Sequence, residues 1–167
     1  MAPEKHGLVL PVSIVGMVDL NRLLREIKSV QADLQAQALR HEDANAGTLP
    51  KLSLLLDEFV QTNQLNLLLK ADQDRTIEFL EIIKNNAPKI HVSFSADPSP
   101  QFMEKFTAWF RENIHPAVLI TVGLQPGIGA GCIVRTANKY FDFSLGKTFE
   151  SKRELLIQQL HSTEVTA

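Results

Sequence analysis

Apolar residues change period at Ala87-Pro88, and that change constrains the fold more than any other feature of the chain. Upstream they recur every three or four positions, as on one face of a helix. Downstream they come in short alternating or continuous runs, as in strands. The two periods predict an α+β protein: an N-terminal all-α helical bundle over residues 1–87, a small mixed αβ domain over residues 88–160, and a flexible tail over residues 161–167. A chain of 167 residues can hold one ordinary domain or two small ones, and 44% hydrophobic residues supply a core for either.

Residues 18–40 form the clearest predicted helix. Leu20, Leu23, Ile27, Val30 and Leu34 alternate three- and four-residue steps and make one apolar stripe, with Arg22, Arg25, Glu26 and Asp33 on the opposite face. Asp19 is the expected N-cap. The stripe has two readings: it packs on the other helices of its own bundle, or it is an interface for a partner helix from another chain. Polar residues with Gly47 and Pro50 make residues 41–50 a loop. Helical spacing resumes with Leu52, Leu55, Leu56, Phe59 and Val60. A short third helix is expected at residues 65–69. A fourth is expected from Asp72 or Asp74 through Ile77, Leu80 and Ile83, until Asn85, Asn86 and Pro88 stop it. Residues 8–15 read as an edge strand or an extended lead-in, because Pro11 removes a ladder donor.

In the second half Ile90, Val92 and Phe94 alternate with His91 and Ser93, which predicts a strand. Asp97-Pro98-Ser99-Pro100 is a turn, with Ser99 as N-cap and Pro100 at the first helical position. The helix that follows, to about Asn113, is expected to bury Phe102, Phe106, Trp109 and Phe110. Part of that row has a second reading, as a surface facing a partner. Strands are expected at residues 118–124, 132–135 and 140–143, with a turn at 125–131. A last helix over residues 144–160 is expected to turn Leu145, Phe149, Leu156 and Leu160 inward. The order strand, helix, strand, strand, helix lets helices pack on a small mixed sheet.

Little in the chain points to catalysis. Gly127, Gly129 and Gly131 follow a strand, as in a dinucleotide loop, but the sixth place of that motif holds Cys132 and a strand follows where a helix is required. A tight strand-to-strand turn accounts for these glycines. His6, His41, His91, His115 and His161 have no second ligand at metal spacing on a helix face, so no metal and no cofactor is expected. Cys132 lies in an apolar run and reads as a core cysteine. Asp142 and Ser144 read as a cap for the last helix rather than half of a hydrolytic pair. A net charge of -2 gives no reason to expect nucleic acid. No window approaches the ~20 apolar residues of a membrane span, and the N-terminal residues make a poor signal peptide.

From Val118 onward the residues resemble the C-terminal signature of the delta subunit of F-type ATP synthase, called oligomycin-sensitivity-conferring protein in mitochondria. Val118, Ile120 and Leu124 take the strand places, and Gln125-Pro126 stands where an acid or amide precedes proline. Ile128 is the aliphatic residue, Ala130-Gly131 the small-glycine pair, and Val134-Arg135 closes the motif. Asp142-x-Ser144 matches the family's Asp-x-Ser before the last helix. The resemblance covers roughly residues 89–160; Cys132 and Ala137 depart from it. The family opens with a six-helix bundle, where this half of the chain has about four helices.

The resemblance implies a non-catalytic peripheral-stalk (stator) subunit that links the catalytic head to the membrane sector during proton-driven ATP synthesis. Its implied partners are N-terminal segments of the synthase alpha subunits and the b-subunit stalk helices. It implies a monomer within a hetero-oligomer, peripheral at the cytoplasmic face of a bacterial plasma membrane or the organelle equivalent. The alternative is a free-standing helical adaptor or homodimeric scaffold, joined through the stripe from Leu20 to Leu34.

Overall fold

The computed structural model describes residues 7–39, 51–153 and 157. The protein is α+β, with helices α1 (Met17–Leu39), α2 (Leu54–Asn63) and α3 (Lys70–Asn86), then β1 (Lys89–Phe94), α4 (Pro100–Asn113), β2 (Leu119–Leu124), β3 (Gly131–Arg135), β4 (Tyr140–Ser144) and α5 (Leu145–Ser151). It divides into two compact units. One combines Met1–Pro88 with Glu104–Leu119; the other combines Lys89–Met103 with Ile120–Ala167. The chain thus passes between units at residues 88/89, 103/104 and 119/120, and α4 contributes to both.

In the helical unit the stripe of α1 is core. Leu20, Leu23 and Ile27 are 0% exposed, Val30 is buried, and Leu34 packs half-buried against the same cluster. Leu56 and Phe59 of α2, Leu80 and Ile83 of α3, and Leu119 belong to it too, as do Leu10 and Ile14 of the lead-in. Leu20, Leu23, Ile27 and Val30 thus pack within their own bundle, the first of the two readings of the stripe, and have no surface left for another chain. Burying residues of this size contributes roughly 1.5–3 kcal/mol each.

Asp19 is not the N-cap of α1. It sits at the third helical position, where its Oδ2 accepts from the Gly16 N–H at 3.1 Å, the back-reaching half of a capping box. Glu26, on the face expected to be solvated, accepts from Ser53 N at 2.7 Å and Ser53 Oγ at 2.6 Å. Ser53 is the N-cap of α2, so one carboxylate fixes where α2 starts against α1.

The helix expected at residues 65–69 does not form. Leu68 N donates to Asn66 Oδ1 at 3.0 Å and Asn66 N donates to Asp72 Oδ2 at 2.9 Å, so side chains supply what helical carbonyls would have. Residues 7–16 contain no strand and form the lead-in, with a turn closed by Ile14 N to the Pro11 carbonyl at 3.1 Å. On α4, Ser99 Oγ accepts from Phe102 N at 3.3 Å, as an N-cap should. The buried positions are Met103, Thr107 and Phe110; Phe102 and Trp109 are exposed, against expectation, and Phe106 is half-buried.

The sheet has strand order β2-β1-β3-β4. β3 is antiparallel to β1 (Val92 opposite Val134) and to β4 (Ile133 opposite Asp142). Leu119 N donates to the Pro88 carbonyl at 3.0 Å and Gln125 N to that of Phe94 at 2.8 Å; bonds running in one direction with equal offset make β1 and β2 parallel. The sheet is therefore mixed.

Candidate functional site

β2 and β4 are the outer strands of the sheet, and three of the five residues of β4 are aromatic. Alternation sends Phe141 and Phe143 to the face that carries Val134, Cys132, Val92 and Phe94, and sends Tyr140 and Asp142 to the other. A side chain on Gly123 would meet those of His91 and Ser93, so Gly123 shares their face. Val122 and Leu124 therefore point the opposite way, to the face of Val92 and Phe94.

The middle of this apolar face is closed. Val92, Phe94 and Val134 are buried, and Phe102 meets Phe94 edge-on with ring centroids 5.8 Å apart. Its rims are open. Phe143 is 61% exposed and Phe141 42%, with their rings stacked at 6.2 Å and 11°. Leu145 and Phe149 of α5 were expected to face inward, but both are exposed, Phe149 at 57%. Leu156 and Leu160 lie outside the described residues. Several large apolar side chains open to water on one short stretch are the usual mark of a binding surface, so the β4–α5 rim is the candidate site.

The turn before β3 sets this rim. Pro126–Ile128 form one 3₁₀ turn, with Ile128 N donating to the Gln125 carbonyl at 3.0 Å and Gly129 N to that of Pro126 at 3.1 Å. Gly131 has φ +96, and a Cβ there would stand 2.3 Å from the Phe143 carbonyl oxygen. Only glycine allows both that dihedral and that approach. Leu145 N then donates to the Ala130 carbonyl at 2.9 Å, tying the start of α5 back to the turn. Ser144 is the N-cap of α5, with its Oγ accepting from Lys147 N at 3.4 Å, and Asp142 Oδ1 accepts from Ser144 N at 2.9 Å. The hydrogen bonds from Ser144 hold the Asp142 carboxyl below its ordinary value.

The residues singled out by sequence are thus partly gathered. Ala130, Gly131, Asp142 and Ser144 form one connected corner. Val134 is buried in the sheet beside Arg135, whose exposed guanidinium lies 5.3 Å from the Tyr140 ring centroid. Leu124, Gln125 and Pro126 are exposed and leave β2, at the other side of the sheet, while Val118, Ile120 and Ile128 are core. The exposure of Phe141, Phe143 and Phe149 was not legible in the sequence; its only signal was the density of aromatic residues after Lys139.

The corner contains no nucleophile–base pair. Ser144 Oγ is committed to capping, and partial burial pushes the Cys132 thiol up, away from the reactive thiolate. Among the described residues no group of three His, Cys, Asp or Glu side chains is placed to hold a metal ion. Among them, too, no helix is long and apolar enough to cross a membrane.

No family model matches the chain, and no curated protein matches it.

Proposed function

We propose that this chain is a non-catalytic peripheral-stalk (stator) subunit of an F-type ATP synthase, and that its β4–α5 rim grips a b-subunit stalk helix. The observation that carries the reading is the run from Val118 to Ser144, which resembles the delta-subunit signature and ends at an exposed aromatic rim. An amphipathic helix laid along Phe141, Phe143 and Phe149 buries apolar surface on both sides, the usual mode by which a helix docks. The helical unit is assigned the contact with alpha-subunit N-terminal segments. Two contacts on one assembly raise the effective concentration of each, which is how a stator survives torque. The complex then sits peripherally at the cytoplasmic face of the energy-coupling membrane, or its organelle equivalent.

The homodimer alternative is less supported: of its interface from Leu20 to Leu34, the residues Leu20, Leu23, Ile27 and Val30 are buried in the helical unit and Leu34 is half-buried. The test is affinity capture from solubilised membranes of the source cell, with the retained proteins identified by mass spectrometry. Recovery of synthase alpha and b subunits is the expected outcome. A folded bait that retains neither ends the stator reading.

A further inference from the structure

On the sheet face opposite the apolar rim, His91 and Arg135 stand directly across from each other on β1 and β3, and Tyr140 stands across from Arg135 on β4. All three are exposed. Arg135 lies over the Tyr140 ring at 5.3 Å, a contact that orients the guanidinium while leaving its N–H edge available. His91 is oriented as well: its Nε2 lies 3.3 Å from Ser93 Oγ, and its ring fills the notch where a Cβ on Gly123 would come within 2.9 Å of Nε2. The imidazole and the guanidinium thus stand at paired positions of neighbouring strands on one face.

Among the described residues neither side chain pairs with an acid. Opposite charges across a strand pair stabilise a sheet, yet Arg135 faces an imidazole and a phenol. The acid on this face of β4, Asp142, is engaged with Ser144. An ion pair of Lys28 with Glu81 lies in the helical unit.

We infer that Arg135 and His91 form a receptor for a carboxylate side chain presented by a partner polypeptide. This rests on the reading of the C-terminal unit as a partner-binding module, and it adds the chemistry of the partner: an acidic residue for the sheet face opposite the one that carries Phe141 and Phe143. The planar fork of arginine suits a carboxylate bidentately. A nucleic acid is disfavoured because its binders neutralise roughly six to ten phosphates, whereas this site offers one guanidinium and one imidazole on a chain of net charge -2.

The test is NMR on the full chain, following the Arg135 Nε–Hε and His91 ring signals. The probes are a glutamate-rich helical peptide, its glutamine counterpart and a thymidine oligonucleotide. Saturable shifts at both side chains with the glutamate peptide are expected, with affinity weaker by about tenfold for the glutamine peptide and for Arg135→Gln, and intermediate for Arg135→Lys. Both substitutions are at an exposed side chain, and unchanged amide shifts elsewhere verify the fold. Absent shifts, or equal affinity in Arg135→Gln, overturn the inference. A response to the oligonucleotide as strong as that to the peptide overturns the polypeptide assignment. Failure here with synthase subunits still captured from membranes discards only this receptor; loss of capture by the unaltered chain discards the stator reading instead.

Discussion

The Arg111 guanidinium donates to the Ile14 carbonyl at 2.5 Å across 97 residues of sequence. It also donates to the carbonyls of Leu10 and Pro11, at 2.8 and 2.6 Å. One side chain near the end of α4 thereby satisfies three backbone acceptors of the irregular lead-in, a segment with no ladder of its own to supply donors. Burial lowers the Arg111 pKa to about 10, which still leaves it charged at neutral pH.

Replacing Arg111 with alanine strands those carbonyls and is expected to cost about 3 kcal/mol, since hydrogen bonds to charged groups are worth more than neutral ones. Arg111→Lys should recover only part, because an ammonium cannot reproduce the fork. Urea denaturation of the three proteins measures both. An alanine variant as stable as the parent contradicts the clamp.

Gly131 and Gly127 should respond very differently to alanine. Gly131 combines φ +96 with a Cβ position 2.3 Å from the Phe143 carbonyl oxygen, whereas a Cβ on Gly127 meets nothing within 4 Å. Gly131→Ala is expected to destabilise by about 3 kcal/mol and Gly127→Ala by less than about 0.5 kcal/mol. Thermal unfolding of the pair decides it; similar melting temperatures would falsify the assigned role of Gly131.

The Asp142–Ser144 corner has a pH signature. The folded-state pKa of Asp142 lies below its ordinary value of 3.8, so the folded chain gives up this proton more readily than the unfolded chain. Its stabilisation is fully present above pH 3.8 and is lost as the pH falls below that through the lowered pKa. A carboxyl-detected NMR titration should find the midpoint below 3.8 in the parent and nearer to 3.8 in Ser144→Ala. A midpoint at or above 3.8 in the parent removes the hydrogen-bond argument.

If the β4–α5 rim grips a stalk helix, as proposed, Phe141 and Phe143 serve binding more than stability. Serine at either exposed position should change unfolding free energy by less than about 1 kcal/mol. The double substitution should abolish capture of the b subunit while leaving the circular dichroism spectrum unchanged. Capture at parental levels would move the docking surface elsewhere.

Periodicity made α1 legible because five aliphatic residues mark one stripe and the opposite face is charged. α4 was legible in extent but not in orientation. Its start is written in Ser99 and Pro100, yet apolar residues at 102, 103, 106, 109 and 110 cover too much of the circumference to say which side is buried. The apolar run at residues 65–69 misled because the Asn66 side chain, not the run, decides the local backbone. The Arg111 clamp left no mark at all: its acceptors are main-chain carbonyls, which every residue carries. At the candidate site the glycine turn and the Asp-x-Ser cap could be read, since each needs particular residue types. The open rim could not, because exposure depends on what fails to cover a residue.

Leu119 and Arg111 belong to the body that begins with the lead-in and α1. When the chain leaves the ribosome, the first three helices emerge before the residues that finish their core. The stretch after Pro88 through Leu119 takes about 2–6 s to synthesise. For that interval the nascent helices carry an unfinished apolar surface, a natural station for a chaperone. A gene cut after Pro88 would make that unfinished state permanent.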